Sequence, residues 1–390
     1  VAVLADRHRA LLTALAETIL PAGRHLPAGG AATVRRAEDE LARLPPALGK
    51  ATGALLHGLD AAAWLGHRRG FARLSAAHRL DLLERWRHGD PLRRLALRAL
   101  ASPLKLAHFD DPALYRRLGC AYDLAPARET KPAYLAQRLH PGSTLGGDLA
   151  LECDVVVIGT GAGGAVVGKE LAEAGLAVIF VEEGAHFDRS AFTGRPLTMH
   201  RQLYRNGGAT FSVGNCAIPI PLGQTVGGTT TVNSGTCYRA PDRVLAHWAE
   251  AFGLPELTAD ALGPHFDRVE AILGVEPARP ALLGGNARVI ARGADALGFT
   301  RHGPLRRNAP ACDGQGVCCF GCPTDAKRST NVSYVPLALR AGAELFSEAR
   351  VERLLLDGGA ARGVVATTAD GHTLTVRARA VVVACGALIT

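Results

Sequence analysis

Two textures of apolar spacing divide this chain. Up to about residue 140, apolar residues return every three or four positions, as in Leu11, Leu12, Leu15 and Ile19, and again across 40–60 and 72–87. That period gathers them on one side of an α-helix. Pro21, Pro45-Pro46, Pro91 and Pro112 punctuate the segments, so residues 1–145 are expected to form a helical accessory domain. From 152 the texture changes. Val155–Ile158 is apolar without alternation, as expected of a parallel strand covered on both faces. A strand over 154–158, a glycine turn, a helix over 162–174 stopped by Gly175 and a strand over 177–182 then make a βαβ unit with a right-handed crossover. Residues 205–240, rich in Gly, Thr and Asn, are expected to form an extended loop against a ligand. A helix over 257–275 ends near Gly274. Residues 345–385 alternate β-prone runs with turns, closing on the buried run Ala380–Ala384 and then Gly386.

The turn inside the βαβ unit carries chemistry. It reads Gly159-Thr160-Gly161-Ala162-Gly163-Gly164, the G-x-G-x-x-G pattern in its strand–turn–helix setting. The first Gly permits the tight turn, the second lets a pyrophosphate approach the main chain, and the third lets helix pack on strand. The helix N-terminus, opening at Ala162 and Gly163, turns free N–H groups and its positive dipole end toward the phosphates. Glu182 closes the next strand, where a carboxylate can bond a ribose hydroxyl. A second glycine-rich stretch runs from Gly223 to Thr236. Gly227 and Gly228 let backbone N–H groups lie flush against phosphates or a flat ring, and Thr229, Thr230 and Asn233 add hydrogen-bonding groups. By composition alone this stretch reads first as an ordinary Gly/Thr-rich surface loop.

Composition narrows the reading. At 390 residues and 48% hydrophobic content the chain is globular and long enough for two or three domains. The net charge of +8 comes mostly from Arg, with no block of five like charges and no basic stripe interleaved with aromatics, which argues against nucleic-acid binding. No apolar stretch is long enough to span a bilayer. His57, His67, His78, His88 and His108 are isolated and read as surface or satisfied core histidines. Of nine cysteines, five are scattered (Cys120, Cys153, Cys216, Cys237 and Cys385) and read as small buried hydrophobes. The other four fall in Cys312-Asp313-Gly314-Gln315-Gly316-Val317-Cys318-Cys319-Phe320-Gly321-Cys322-Pro323. Thiolates of Cys312, Cys318 and Cys322 on one glycine-rich loop are candidates for an iron–sulfur cluster, or for zinc with a fourth ligand. A disulfide in an exported chain and purely structural cysteines are the alternatives.

Val155–Gly164, Glu182 and Gly223–Thr236 together resemble the glucose–methanol–choline (GMC) oxidoreductases, a likeness that covers about 150–390. The resemblance implies an α/β fold: a Rossmann-like FAD-binding core over 150–390, preceded by the helical domain and carrying an incomplete substrate domain. It implies that the first motif holds the ADP half of FAD and that Val226–Asn233 runs along the pyrophosphate and flavin, with Asn233 beside the isoalloxazine. Ala349–Arg353 is similar to the family strand whose valine backbone, here Val351, meets the adenine. Ala384–Thr390 resembles the opening of the family's second signature. The expected reaction is oxidation of an alcohol CH–OH by hydride transfer to flavin, by an FAD-dependent alcohol oxidase or dehydrogenase. Cys237 departs from the aromatic or Ala usual there. No histidine matches the family's catalytic His, so no catalytic residue is assigned. The chain is accordingly expected to be a fragment, the alternative being a non-catalytic nucleotide- or metal-binding module. The Cys-rich loop with Ala326–Ser329 is similar to sugar dehydrogenase subunits whose three-iron cluster feeds a cytochrome, and also to long-chain alcohol oxidases. The expected acceptor is therefore a cytochrome or quinone in the first case and oxygen in the second. Leu11–Pro21 also resembles the start of long-chain alcohol oxidases, although any amphipathic helix ended by Pro reads alike.

Overall fold

The computed structural model describes residues 4–42, 46–119, 132–212, 214 and 218–390. Cys120, Cys216 and Pro45 lie outside the described residues. The chain divides into two compact units. The first comprises Val1–Asp123 with Arg195–Thr198 and Ala209–Ile220; the second comprises Leu124–Gly194, Met199–Gly208 and Pro221–Thr390.

The described part of Val1–Asp123 is helical: α1 (Asp6–Ile19), α2 (Ala31–Leu41), α3 (Pro46–His67), α4 (Ala76–Arg87), α5 (Pro91–Phe109) and α6 (Pro112–Arg117). Local chemistry sets the starts. Ser75 caps α4 by accepting from His78 N at 3.3 Å, and Asp90 caps α5 by accepting from Arg93 N at 3.0 Å, with Pro91 in the first turn. The apolar stripes meet in one core that buries Leu15, Leu56, Leu59 and Phe71. His108 is a satisfied core histidine, with Nδ1 3.1 Å from the Thr33 hydroxyl. Two other histidines are less isolated than their spacing implies, because His67 and His78 stack with ring centroids 4.7 Å apart.

The second unit contains α7 (Ala133–Arg138), β1 (Leu139–Pro141), β2 (Leu149–Ile158), α8 (Ala162–Glu173), β3 (Val178–Val181), part of α9 (Pro196–Leu203), α10 (Thr229–Val232), α11 (Asp242–Phe252), α12 (Ala259–Leu273), β4 (Glu276–Pro277), α13 (Gly285–Ala296), β5 (Arg306–Arg307), α14 (Tyr334–Arg340), β6 (Glu344–Ser347), β7 (Ala349–Asp357), β8 (Ala360–Thr368) and β9 (Thr373–Val383). Seven strands form one sheet in the order β1-β6-β3-β2-β9-β8-β7. The pairings from β1 to β9 are parallel, and β9-β8-β7 is an antiparallel meander. This is the α/β class that the apolar runs imply. The unalternated run of β2 has its predicted cause. Val155 and Val157 enter a core with Phe180, Leu345 and Tyr334, while Val156 and Ile158 enter another with Ile179, Phe346 and Val376. Gly168 on α8 sits directly over Phe180, where a Cβ would lie 2.1 Å from the ring. The stretch 205–240 is less extended than expected, because it contains the short helix α10. The scattered Cys153, Cys237 and Cys385 are half-buried rather than fully buried.

Candidate functional site

The site grows from the carboxyl ends of the parallel strands. β2 ends at Ile158, and the chain turns at Gly159 with φ 96°, a left-handed conformation that favours glycine. A Cβ on Gly159 would lie 2.6 Å from the Ala384 carbonyl oxygen, and one on Gly164 would lie 2.1 Å from the Gly159 carbonyl oxygen. These two glycines therefore serve the packing of turn, helix and β9. Gly161 and Gly163 differ: a Cβ on either would meet nothing within 4 Å. Their bareness satisfies no contact inside the chain, and it leaves open main chain at the start of α8, beside Ala162.

The second glycine pair comes to the same place. Gly227 and Gly228 have φ 94° and 52°, and a Cβ on Gly228 would stand 3.2 Å from Gly161 Cα. The main-chain patches at 159–164 and 227–228, far apart in sequence, thus adjoin. Thr160, fully buried, joins them. Its hydroxyl accepts from Gly227 N at 2.9 Å and donates to Glu182 Oε2 at 2.7 Å, while its backbone N–H donates to the same oxygen at 2.9 Å. Its carbonyl accepts from the Thr330 hydroxyl at 2.9 Å, and Thr330 N donates to the Thr230 hydroxyl at 3.0 Å. Thr330 lies 170 positions from Thr160, and no local pattern pointed to it.

Glu182 follows β3 and is buried. Besides Thr160, it accepts from Gly184 N at 2.9 Å. Burial raises its pKa above the ordinary carboxylate value, against the pull of these hydrogen bonds and of the Arg205 charge. It braces the glycine turn, and Oε1, with one donor, keeps a lone pair for a hydroxyl. The next residue, Glu183, pairs with Arg205. Val351 lies on β7 in register with Ala366. Beside it opens a cleft of about 410 Å³ lined by residues that include Glu183, Gly184, Gln224, Arg350, Glu352 and Thr368.

The far end of the second stretch is the short α10. Thr229 accepts from Gly223 N at 3.1 Å. Asn233, just past α10, is exposed and its side-chain oxygen accepts from Gly235 N at 3.1 Å. Lys327 is only 1% exposed, and burial pushes its pKa down to about 8.

Of the alternatives open for the cysteine loop, neither a disulfide nor a preformed ligand set is seen among the described residues. Cys312, Cys318, Cys319 and Cys322 are free thiols. Cys312 Sγ accepts from Gly314 N at 3.4 Å, Cys318 Sγ from Arg307 Nη2 at 3.0 Å, and Cys322 Sγ from Lys327 N at 3.3 Å. Among the described residues no three His, Cys, Asp or Glu side chains gather where they could hold a metal ion. An iron–sulfur cluster needs three sulfurs converging on one point. The hydrogen bonds to Cys312, Cys318 and Cys322 leave sulfur lone pairs, but among the described residues these three are not gathered into a preformed set of ligands, so the arrangement does not fit the cluster.

Residues 200–390 match the model of the family described as GMC oxidoreductase. An uncharacterized GMC-type oxidoreductase of Mycobacterium tuberculosis is 38% identical over 392 residues, covering 99% of this chain and 61% of that protein. A long-chain-alcohol oxidase of Arabidopsis thaliana is 29% identical over 252 residues, covering 62% of this chain and 33% of the oxidase. Among solved structures, pyridoxine 4-oxidase from "Mesorbium loti" aligns with a TM-score of 0.47 at 19% identity, over 60% of this chain and 50% of that one. The chain thus spans less than two thirds of the length of these relatives.

Proposed function

This chain belongs to the GMC oxidoreductase family, and from that premise we propose that it forms the FAD-binding part of an enzyme that oxidises a CH–OH group of an alcohol. The single observation that carries the cofactor assignment is the meeting of Gly161 with Gly228, bare main chain against bare main chain, at the N-terminus of α8. A diphosphate needs such a surface: N–H groups, a positive helix end and no Cβ in the way. The residues present fit FAD. Gly159, Gly161, Ala162, Gly163 and Gly164 would hold the ADP half, with Glu182 turned to the ribose and Val351 to the adenine. Gly227, Gly228, Thr229 and Asn233 would serve the pyrophosphate and the flavin. When bound, FAD supplies the two-electron acceptor for the alcohol carbon.

The chain's own residues would then bind and orient. Thr160 ties both glycine patches to Glu182, so the two halves of the cradle hold one spacing. The similarity to a long-chain-alcohol oxidase supports a hydrophobic alcohol as donor. The same similarity supports oxygen rather than a cluster-fed cytochrome or quinone as acceptor. Purified protein incubated with FAD and freed of excess tests the reading. The expected result is the two absorption bands of bound flavin with no iron or sulfide on analysis. A colourless protein that retains no FAD would overturn it in favour of a non-catalytic module. Iron and acid-labile sulfide in stoichiometric amount would overturn the acceptor assignment alone.

A further inference from the structure

Two buried or half-buried cations, Lys327 and Arg307, join the cysteine loop to the stretch 229–234. The Lys327 ammonium donates to three carbonyl oxygens: Thr231 at 2.8 Å, Asn233 at 2.7 Å and Cys318 at 2.8 Å. An ammonium has three N–H donors, so this one is fully used. Arg307 Nη2 donates to the Ser234 carbonyl at 2.6 Å and to Cys318 Sγ at 3.0 Å. The carbonyl of Thr231 belongs to α10, and that of Asn233 follows it immediately. Both lie at the helix C-terminus, where carbonyl oxygens lack partners and carry partial negative charge.

The helix they close has little reason to exist by itself. Its sequence is Thr-Thr-Thr-Val, four β-branched residues of weak helix propensity, and four residues are too few to nucleate a helix in water. Its backbone also starts from Gly228 in a left-handed conformation with φ 52°. The conformation is therefore imposed from outside. Thr330 and Thr230 hold its start, and Lys327 with Arg307 hold its end.

We propose that Lys327 is a positioning residue for the flavin: with Arg307 it clamps the C-terminal end of α10 to the cysteine loop and so sets where Asn233 stands beside the ring system. The cysteine loop is then a structural anchor, and its Cys318 contributes through its carbonyl and sulfur as an acceptor, not as a metal ligand. This inference rests on the FAD assignment above, because without that cofactor the position of Asn233 has no consequence.

The test compares the parent chain with Lys327→Met, which keeps length and removes all three donors, Lys327→Arg, which keeps charge and donors, and Arg307→Gln. FAD affinity is read by quenching of flavin fluorescence, and local order by hydrogen–deuterium exchange of peptides spanning 155–182 and 226–236. We expect Lys327→Met to weaken FAD at least tenfold and to speed exchange across 229–235, with 155–182 unchanged. Lys327→Arg should recover part of both, and Arg307→Gln should show the same pattern at a smaller amplitude of about threefold. A residue that merely supports the unit would change exchange in 155–182 as well. If Lys327→Met binds FAD within twofold of the parent and leaves 229–235 protected, the inference is overturned while the FAD assignment stands. If Lys327→Met does not fold, Arg307→Gln decides, and unchanged exchange and affinity there overturn the inference. A parent chain that takes up no FAD would instead remove the underlying assignment.

Discussion

Gly161 and Gly164 belong to one motif but do different work, and a methyl group separates them. In Gly164→Ala the new Cβ collides with the Gly159 carbonyl oxygen, 2.1 Å away, and with Ala384 Cβ at 3.1 Å. Overpacking of that kind costs about 1–3 kcal/mol, so urea unfolding of the cofactor-free chain should show the loss. In Gly161→Ala the methyl meets no atom within 4 Å. Its φ of −66° suits any residue, so the cost should stay near that of a changed helix cap, under about 1 kcal/mol. FAD affinity should nevertheless fall at least tenfold, because the methyl would occupy the diphosphate's place; unchanged affinity by flavin fluorescence would refute that placement. Glu182 adds a pH signature. Its folded pKa is raised, so the folded chain holds a proton that the unfolded chain has released. The resulting stabilisation is complete below the ordinary carboxylate pKa and is lost as pH rises through the higher folded value. Urea midpoints of the cofactor-free chain taken from pH 4 to 8 should show this decline, and Glu182→Gln should flatten it. The glycines and Glu182 were legible in the sequence because their spacing is a local requirement. Thr160 as the hub was not, since its partners lie 22, 67 and 170 positions away.

The βαβ unit is where the apolar pattern predicts element ends best: β2, α8 and β3 stop where glycine or a change of period says they should, although β2 begins at Leu149 and not at 154. Its weak point is the contact of α8 with β3. Phe180 is fully buried beneath Gly168. Phe180→Ala should cost about 3–5 kcal/mol, read as a lowered denaturation midpoint, because it removes a large side chain and leaves a cavity under the helix. Gly168→Leu should destabilise as well, from the opposite cause, with the helix pushed off the sheet. α10 behaves otherwise. Its β-branched sequence argues against a helix, and tertiary hydrogen bonds from Lys327 and Thr330 override that preference. Between a cluster and structural cysteines, spacing along the chain left the loop open. Cysteine spacing states how far apart thiols are along the chain, but Arg307 and the backbone N–H groups decide where each sulfur points.

The described chain forms two compact units with separate cores, one helical and one built on the seven-stranded sheet. Units of that kind ordinarily unfold as units of their own. Calorimetry should therefore resolve two transitions. Added FAD at one hundred times its Kd should stabilise the sheet-containing unit by about 2.7 kcal/mol and leave the helical transition in place. Leu56→Ala, in the helical core, should do the reverse, lowering the helical transition by about 2–5 kcal/mol without changing FAD affinity. A single transition displaced equally by both would refute the separation.

Taken alone, the order of residues determined the α/β class, the βαβ unit and the position of each glycine that a dinucleotide would require, because turn geometry and strand burial are dictated within a few neighbouring positions. Only the tertiary structure decided that Gly161 meets Gly228, that Thr160 and Thr330 bind the two patches together, and that Lys327 and Arg307 tie the cysteine loop to the end of α10. Those outcomes depend on contacts between residues tens to hundreds of positions apart. Such contacts come into being only when the sheet closes and buried polar groups must find partners.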